Sequence, residues 1–189
     1  MTTVLIKPRQ LTSTPDMILK GCREEDVQSQ EQLYKYCYPG MIKICYRYAG
    51  DMDGAGIIFN NAMLRVFKSI HAYKEEGKLM GWVKVIVVNC CIDFVKQQNK
   101  FNETIPGHIE EQEVSIPADA LSRVSAKEIQ AMIWQLPKAT ATVFNLYIYE
   151  GFTHKQIAES LGISEGTSKW HVNEGRRLLK TKLDNFFNH

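Results

Sequence analysis

The chain has 189 residues, 44% of them hydrophobic and 23% charged, with a formal net charge of +2 at pH 7. That length allows one ordinary domain or two small ones with working cores, and the near-neutral charge argues against a protein that coats nucleic acid over its whole surface. No apolar run reaches the length of a membrane span, and the opening MTTVLIKPRQ lacks the parts of a secretion signal, so a cytoplasmic protein without membrane insertion is expected.

Residues 1–23 mix Thr, Pro and polar residues without a sustained period and read as an amino-terminal tail. A first domain is expected over residues 24–100. From Asp26 to Tyr48, Leu33, Tyr34, Cys37, Ile42, Ile44, Cys45 and Tyr48 recur at helical intervals, interrupted by Pro39 and Gly40. The stretch Gly50 to Gly54 reads as a turn, and a helix resumes from Ile57 to Ile70 with Ile57, Ile58, Leu64, Phe67 and Ile70 as its expected core side. After the charged loop Tyr73 to Lys78 comes an apolar segment, Leu79 to Val95. Its β-branched run Val83 to Val88 would suit a buried strand, but Trp82, Ile86, Asn89, Asp93 and Lys96 fall at three- and four-residue steps, and a helix is preferred.

Residues 101–124 carry Pro106, Gly107, Pro117 and several acidic residues without periodicity, the composition of a flexible linker. A second domain follows over residues 125–189. Ala126 to Leu136 suits a helix, and Pro137 opens another with Val143, Phe144, Leu146 and Tyr147 on its apolar side. Thr153 and Gln156 have the spacing of a capping box, Ile157, Ala158 and Leu161 share a helical face, Gly162 supplies a turn, and Ser164 can cap the next helix. This is the pattern of a helix-turn-helix. Its second helix carries Lys169, Trp170, His171, Asn173, Arg176 and Arg177, side chains suited to a major groove and its phosphates. The fold class expected is therefore all-α, two small helical domains joined by a linker, the second containing the helix-turn-helix.

Cys22, Cys37, Cys45, Cys90 and Cys91 form no Cys-x-x-Cys pair, so neither a disulfide framework nor a zinc site is indicated, and they read as small buried apolar residues. The histidines are scattered, and no phosphate loop or nucleophile with its base is readable. The chain is not expected to be an enzyme, and no metal or other cofactor is expected.

Two ordered stretches resemble the extracytoplasmic-function group of bacterial sigma factors. Towards the carboxyl terminus these are Leu136-Pro137, Glu150-Gly151, Ile157-Ala158, Leu161-Gly162-Ile163-Ser164 and Gly166-Thr167. Towards the amino terminus they are Tyr46-Arg47-Tyr48, Ala55 to Lys68, and Trp82, Ile86, Asn89 and Asp93 in a Trp-x-x-x-Ile-x-x-Asn-x-x-x-Asp pattern. The resemblance implies a transcription initiation factor with core RNA polymerase, promoter DNA and an anti-sigma factor as partners. It implies polymerase contacts at Asn60, Asn61, Arg65 and Lys68, and capture of the melted minus-ten strand by Tyr73, Lys74, Lys84, Asn89 and Lys96. At the minus-thirty-five element it implies contacts from Ser164 and Thr167, phosphate contacts from Lys169, Arg176 and Arg177, and base-edge contacts from Trp170, His171 and Asn173. The chain departs from the family at Gly56, Ile57 and Asn60, where acidic residues and Gln are usual, and at Ser168, Glu174 and Gly175 in the recognition helix. Glu174 would repel phosphate. A helix-turn-helix regulator acting without polymerase, and a helical interaction protein that has lost DNA binding, are the competing readings.

Overall fold

The structure is a computed structural model that describes residues 15–74, 78–98 and 125–187. The described elements are helical: α1 (Pro15–Arg23), α2 (Val27–Ala49), α3 (Met52–Ser69), a 3-10 turn (Ile70–Ala72), α4 (Leu79–Gln98), α5 (Ala126–Trp134), α6 (Lys138–Ile148), α7 (His154–Leu161) and α8 (Glu165–Phe187). No strand occurs among the described residues. The segment expected to be a linker, 101–124, lies outside them, as do residues 1–14 of the expected tail.

The chain divides into two compact units, residues 1–45 with 53–90 and residues 46–52 with 91–189. In the first unit, residues 15–23, read as the end of a tail, are instead α1, which buries Ile18, Leu19 and Cys22 on one face while Met17 points outward. Three apolar side chains at i, i+1 and i+4 in a short helix give too little periodicity to be noticed among polar neighbours, yet they are enough to dock it. Arg23 of α1 donates from Nη2 to the Tyr73 carbonyl at 3.2 Å, tying the helix to the end of the 3-10 turn.

α2 continues through Pro39, which removes one hydrogen bond of the ladder without ending the helix. Leu33, Cys37, Met41, Ile44 and Cys45 form its buried stripe. In α3 the buried stripe is Ala55, Ile58, Phe59, Ala62, Met63 and Val66. The helix starts at Met52, so the turn expected from Gly50 to Gly54 is shorter than its glycines suggested. Phe59 is the hub of an aromatic cluster, with Tyr34 and Tyr38 meeting it edge-on at 4.9 and 5.3 Å. The run Val83 to Val88 is helical within α4, as preferred, with Val83, Val87 and Val88 buried. All five cysteines are free and buried, and burial pushes the thiols of Cys22 and Cys37 up to about 11 and about 12, so both stay protonated and unreactive at neutral pH.

The second unit is built on the pairing of α6 with α8. Ile133, Leu136, Phe144 and Leu179 form a core to which Ile129, Met132, Ala141 and Leu178 add partial cover. Gly175 lets α8 close onto α6: a Cβ there would sit 2.7 Å from Phe144 Cδ2. α8 runs unbroken from Glu165 to Phe187 and buries Leu179 and Leu183 in its second half. Within this unit Arg47 forms an ion pair with Glu150 and lies 4.9 Å over the Tyr149 ring.

Candidate nucleic-acid interface

α7 and α8 form the expected helix-turn-helix, and each of its boundaries has a local cause. Thr153 caps α7 in a complete capping box: its hydroxyl accepts from the Gln156 N–H at 3.2 Å and the Gln156 side chain accepts from the Thr153 N–H at 2.9 Å. Gly162 ends α7 at φ 72°, the left-handed conformation that glycine adopts without a Cβ penalty. Ser164 Oγ accepts from the Thr167 N–H at 2.9 Å and shares a hydrogen bond with Thr167 Oγ1 at 2.9 Å, so both hydroxyls assigned to DNA serve the start of α8.

Ser168, His171, Val172, Gly175 and Leu179 set the buried side of α8. At about 100° per residue, Trp170, Asn173 and Arg177 fall on the opposite side, and Lys169 and Arg176 on one flank. His171 does not join the base readers. It is 8% exposed, with Nδ1 3.0 Å from the buried Thr140 hydroxyl, and burial lowers its pKa. A ring one turn from both Ser168 and Gly175 lands on the core side whatever its polarity. His154 at the start of α7 is likewise engaged: its Nδ1 is 3.0 Å from Ser168 Oγ and its ring stacks on Tyr147 at 4.5 Å. Its pKa is lowered, first by burial and then by Lys169. Asn173 and Arg176 are half-buried and Lys169 is exposed.

In α3, Ile57, Asn60, Asn61, Leu64, Arg65 and Lys68 share the face opposite the buried stripe. Ile57 and Leu64, expected in the core, are 54% and 57% exposed. The error came from grouping all large apolar residues together. A helical wheel places these two between the polar residues and away from Ala55, Phe59, Ala62 and Val66. Asn60 accepts from the Tyr34 hydroxyl at 2.8 Å, which fixes its side chain at the edge of the strip.

In α4, Asn89 is exposed on a strip with Val85 and, two turns on, Lys96. Lys84 lies well round the helix from them and is half-buried. Tyr73, expected to stack an extruded base, is only 7% exposed and its ring packs 5.2 Å from Trp82. With both its carbonyl and its ring engaged, Tyr73 does not present the open aromatic face expected of it. Lys74 beside it is exposed.

Residues 33–101 match the family described as Sigma-70 region 2, and residues 126–179 match Sigma-70, region 4. The chain is also similar to the ECF RNA polymerase sigma factor SigE of Mycolicibacterium smegmatis, at 25% identity over 160 residues. That match covers 82% of this chain and 62% of the relative, so the chain spans less than two thirds of that protein. The ECF RNA polymerase sigma factor SigW of Bacillus subtilis matches at 25% identity, covering 75% of this chain and 81% of the relative. The chain belongs to the extracytoplasmic-function group of the sigma-70 family. Among solved structures, CnrH in complex with the cytosolic domain of CnrY is similar at a TM-score of 0.46 and 12% identity, covering 89% of this chain and 96% of that one.

In this sigma-70 chain the region 2 match takes in the exposed strips of α3 and α4, and the region 4 match takes in the helix-turn-helix and the core beneath it. Sequence reasoning missed the apolar pair Ile57 and Leu64 on the α3 strip. It also missed Arg23, whose hold on the Tyr73 carbonyl spans 50 residues of sequence and leaves no local pattern.

Proposed function

We propose that the chain is a transcription initiation factor that binds core RNA polymerase and directs it to promoters with two recognition elements. The observation that carries this reading is the ordered pair of matches, region 2 before region 4, each containing an exposed surface of the expected kind. The α3 strip, apolar at Ile57 and Leu64 and polar at Asn60, Asn61, Arg65 and Lys68, would dock on polymerase. An apolar pair set among polar residues is the composition of an interface core with its rim. The outward side of α8 would read the upstream element as duplex. Asn89, Lys96 and Lys74 would hold the melted downstream strand, with Tyr73 packed on Trp82 behind Lys74.

The chain itself performs no catalysis on this reading, and it acts in the cytoplasm, where polymerase is. An anti-sigma protein is the further partner that the family resemblance implies. None of the described helices is long and apolar enough to cross a membrane.

The test is transcription from a set of upstream regions by purified core RNA polymerase, with and without the chain. Start sites that appear only on its addition are expected. Sequence-specific duplex binding by the chain alone, without any complex with polymerase, would make it an operator-binding regulator instead.

A further inference from the structure

α8 carries a carboxylate where a groove-reading helix has no evident use for one. Glu174 is committed to a single partner. Arg177 Nε donates to Glu174 Oε2 at 2.8 Å, and Arg177 Nη2 donates to Oε1 at 2.7 Å. The Glu174 side chain is 22% exposed and that of Arg177 is 57% exposed. The pair shifts both groups towards their charged forms.

A guanidinium is planar and carries five N–H donors arranged as forked edges. One edge, formed by Nε and Nη2, is filled by Glu174. The other, formed by Nη1 and the second hydrogen of Nη2, faces away from that carboxylate. Two coplanar acceptors at the spacing of a fork suit it, and in the major groove guanine offers such a pair in O6 and N7. The position along the helix agrees. Arg177 lies four residues after Asn173 and seven after Trp170, on the side opposite the core, whereas Arg176 lies on the flank with Lys169 and Lys180.

We propose that Arg177 is a guanine reader rather than a phosphate partner, and that Glu174 is the positioning residue that holds it. This rests on the reading of α8 as the upstream-element helix. Glu174 cancels most of the long-range pull that Arg177 would exert on the DNA backbone, so Arg177 adds little to salt-dependent affinity. It also fixes the side chain before binding, which lowers the conformational entropy lost when the free edge meets a base. Glu174 thereby has a use at a position where an acidic residue would otherwise only repel phosphate.

The experiment uses the full chain assembled with core RNA polymerase. Tight-binding duplexes are selected from a randomised library, and each upstream base pair is then varied at several salt concentrations. The wild type is expected to prefer guanine at one position by roughly 5- to 150-fold, the range of one bidentate contact. Arg177→Ala should erase that preference and leave the salt slope nearly unchanged, and Arg177→Lys, which keeps the charge without the planar fork, should weaken it. Glu174→Gln should erode the same preference, raise binding to duplexes lacking guanine there, and steepen the salt slope by about one contact. Uniform weakening on all duplexes with a shallower slope in Arg177→Ala would overturn the proposal, as would Glu174→Gln leaving the preference intact. If the wild-type assembly selects no sequence at all, the initiation reading fails first and takes this assignment with it.

Discussion

At the scale of single residues, the second unit turns on a glycine that looks like a defect. Glycine inside a helix loses roughly 0.5–1 kcal/mol relative to alanine, so on α8 alone Gly175→Ala should stabilise. The Phe144 ring 2.7 Å from the added Cβ reverses the sign, because overpacking a buried contact typically costs about 1–3 kcal/mol. A net loss of about 1–2 kcal/mol is expected in denaturant unfolding of the full chain. A gain would mean that Phe144 can swing aside. This contact was not legible beforehand: the sequence shows Gly175 only as a departure from the family, and its cause lies 31 residues away on α6. His171 illustrates the same limit. Residue type marked it as a base reader, and only its register on α8 reveals that it faces the core.

At the scale of elements, the helix-turn-helix was largely readable because its punctuation is local. The Thr153 box, Gly162 and the Ser164 cap act within a turn of their own positions. α1 was missed because its docking depends on residues far along the chain. Contacts between its helices give the second unit a pH response. His171 is buried and His154 half-buried, they are hydrogen-bonded to Thr140 and Ser168 respectively, and both have pKa values below the ordinary value of 6.5. His154 faces Lys169, Glu165 and Arg176, and His171 faces Glu174. For a group with a depressed folded-state pKa, the unfolded chain takes up protons first as pH falls. Their contribution is therefore fully present above pH 6.5 and is lost as pH drops from there through the folded-state values. A thermal midpoint that falls between pH 7.5 and 5 is expected, and replacing both histidines with glutamine should flatten that fall. The lowered carboxylates of Glu128 and Glu174 act below their ordinary value of 4.5, outside this window. An unchanged slope in the double variant would assign the response to other groups.

At the scale of the whole molecule, the proposed function divides the work between surfaces that are individually weak. One recognition helix has few basic contacts, and tethering both units to polymerase would raise their effective concentration at the two promoter elements. The polymerase-facing strip is then the point where the whole assembly can be broken. Leu64→Glu should weaken binding to core polymerase by roughly 5- to 30-fold, the loss typical of a central apolar contact, with the thermal midpoint of the free chain unchanged because Leu64 is exposed. Loss of binding accompanied by a lower midpoint would return Leu64 to the core. That there are two helical domains was legible because each half of the sequence carries its own periodic apolar stripes; that residues 46–52 and 91–98 group with the second unit was not, because no local pattern marks it. The unbroken run of α8 has a mechanical consequence. The rod that presents Trp170, Asn173 and Arg177 is the same rod that Leu179 and Leu183 clamp into the core, with no joint between them. Its pitch is inherited from the packing at its far end, so a change in girth at Leu183 would steer every outward side chain together, as a tiller moves a blade it never touches.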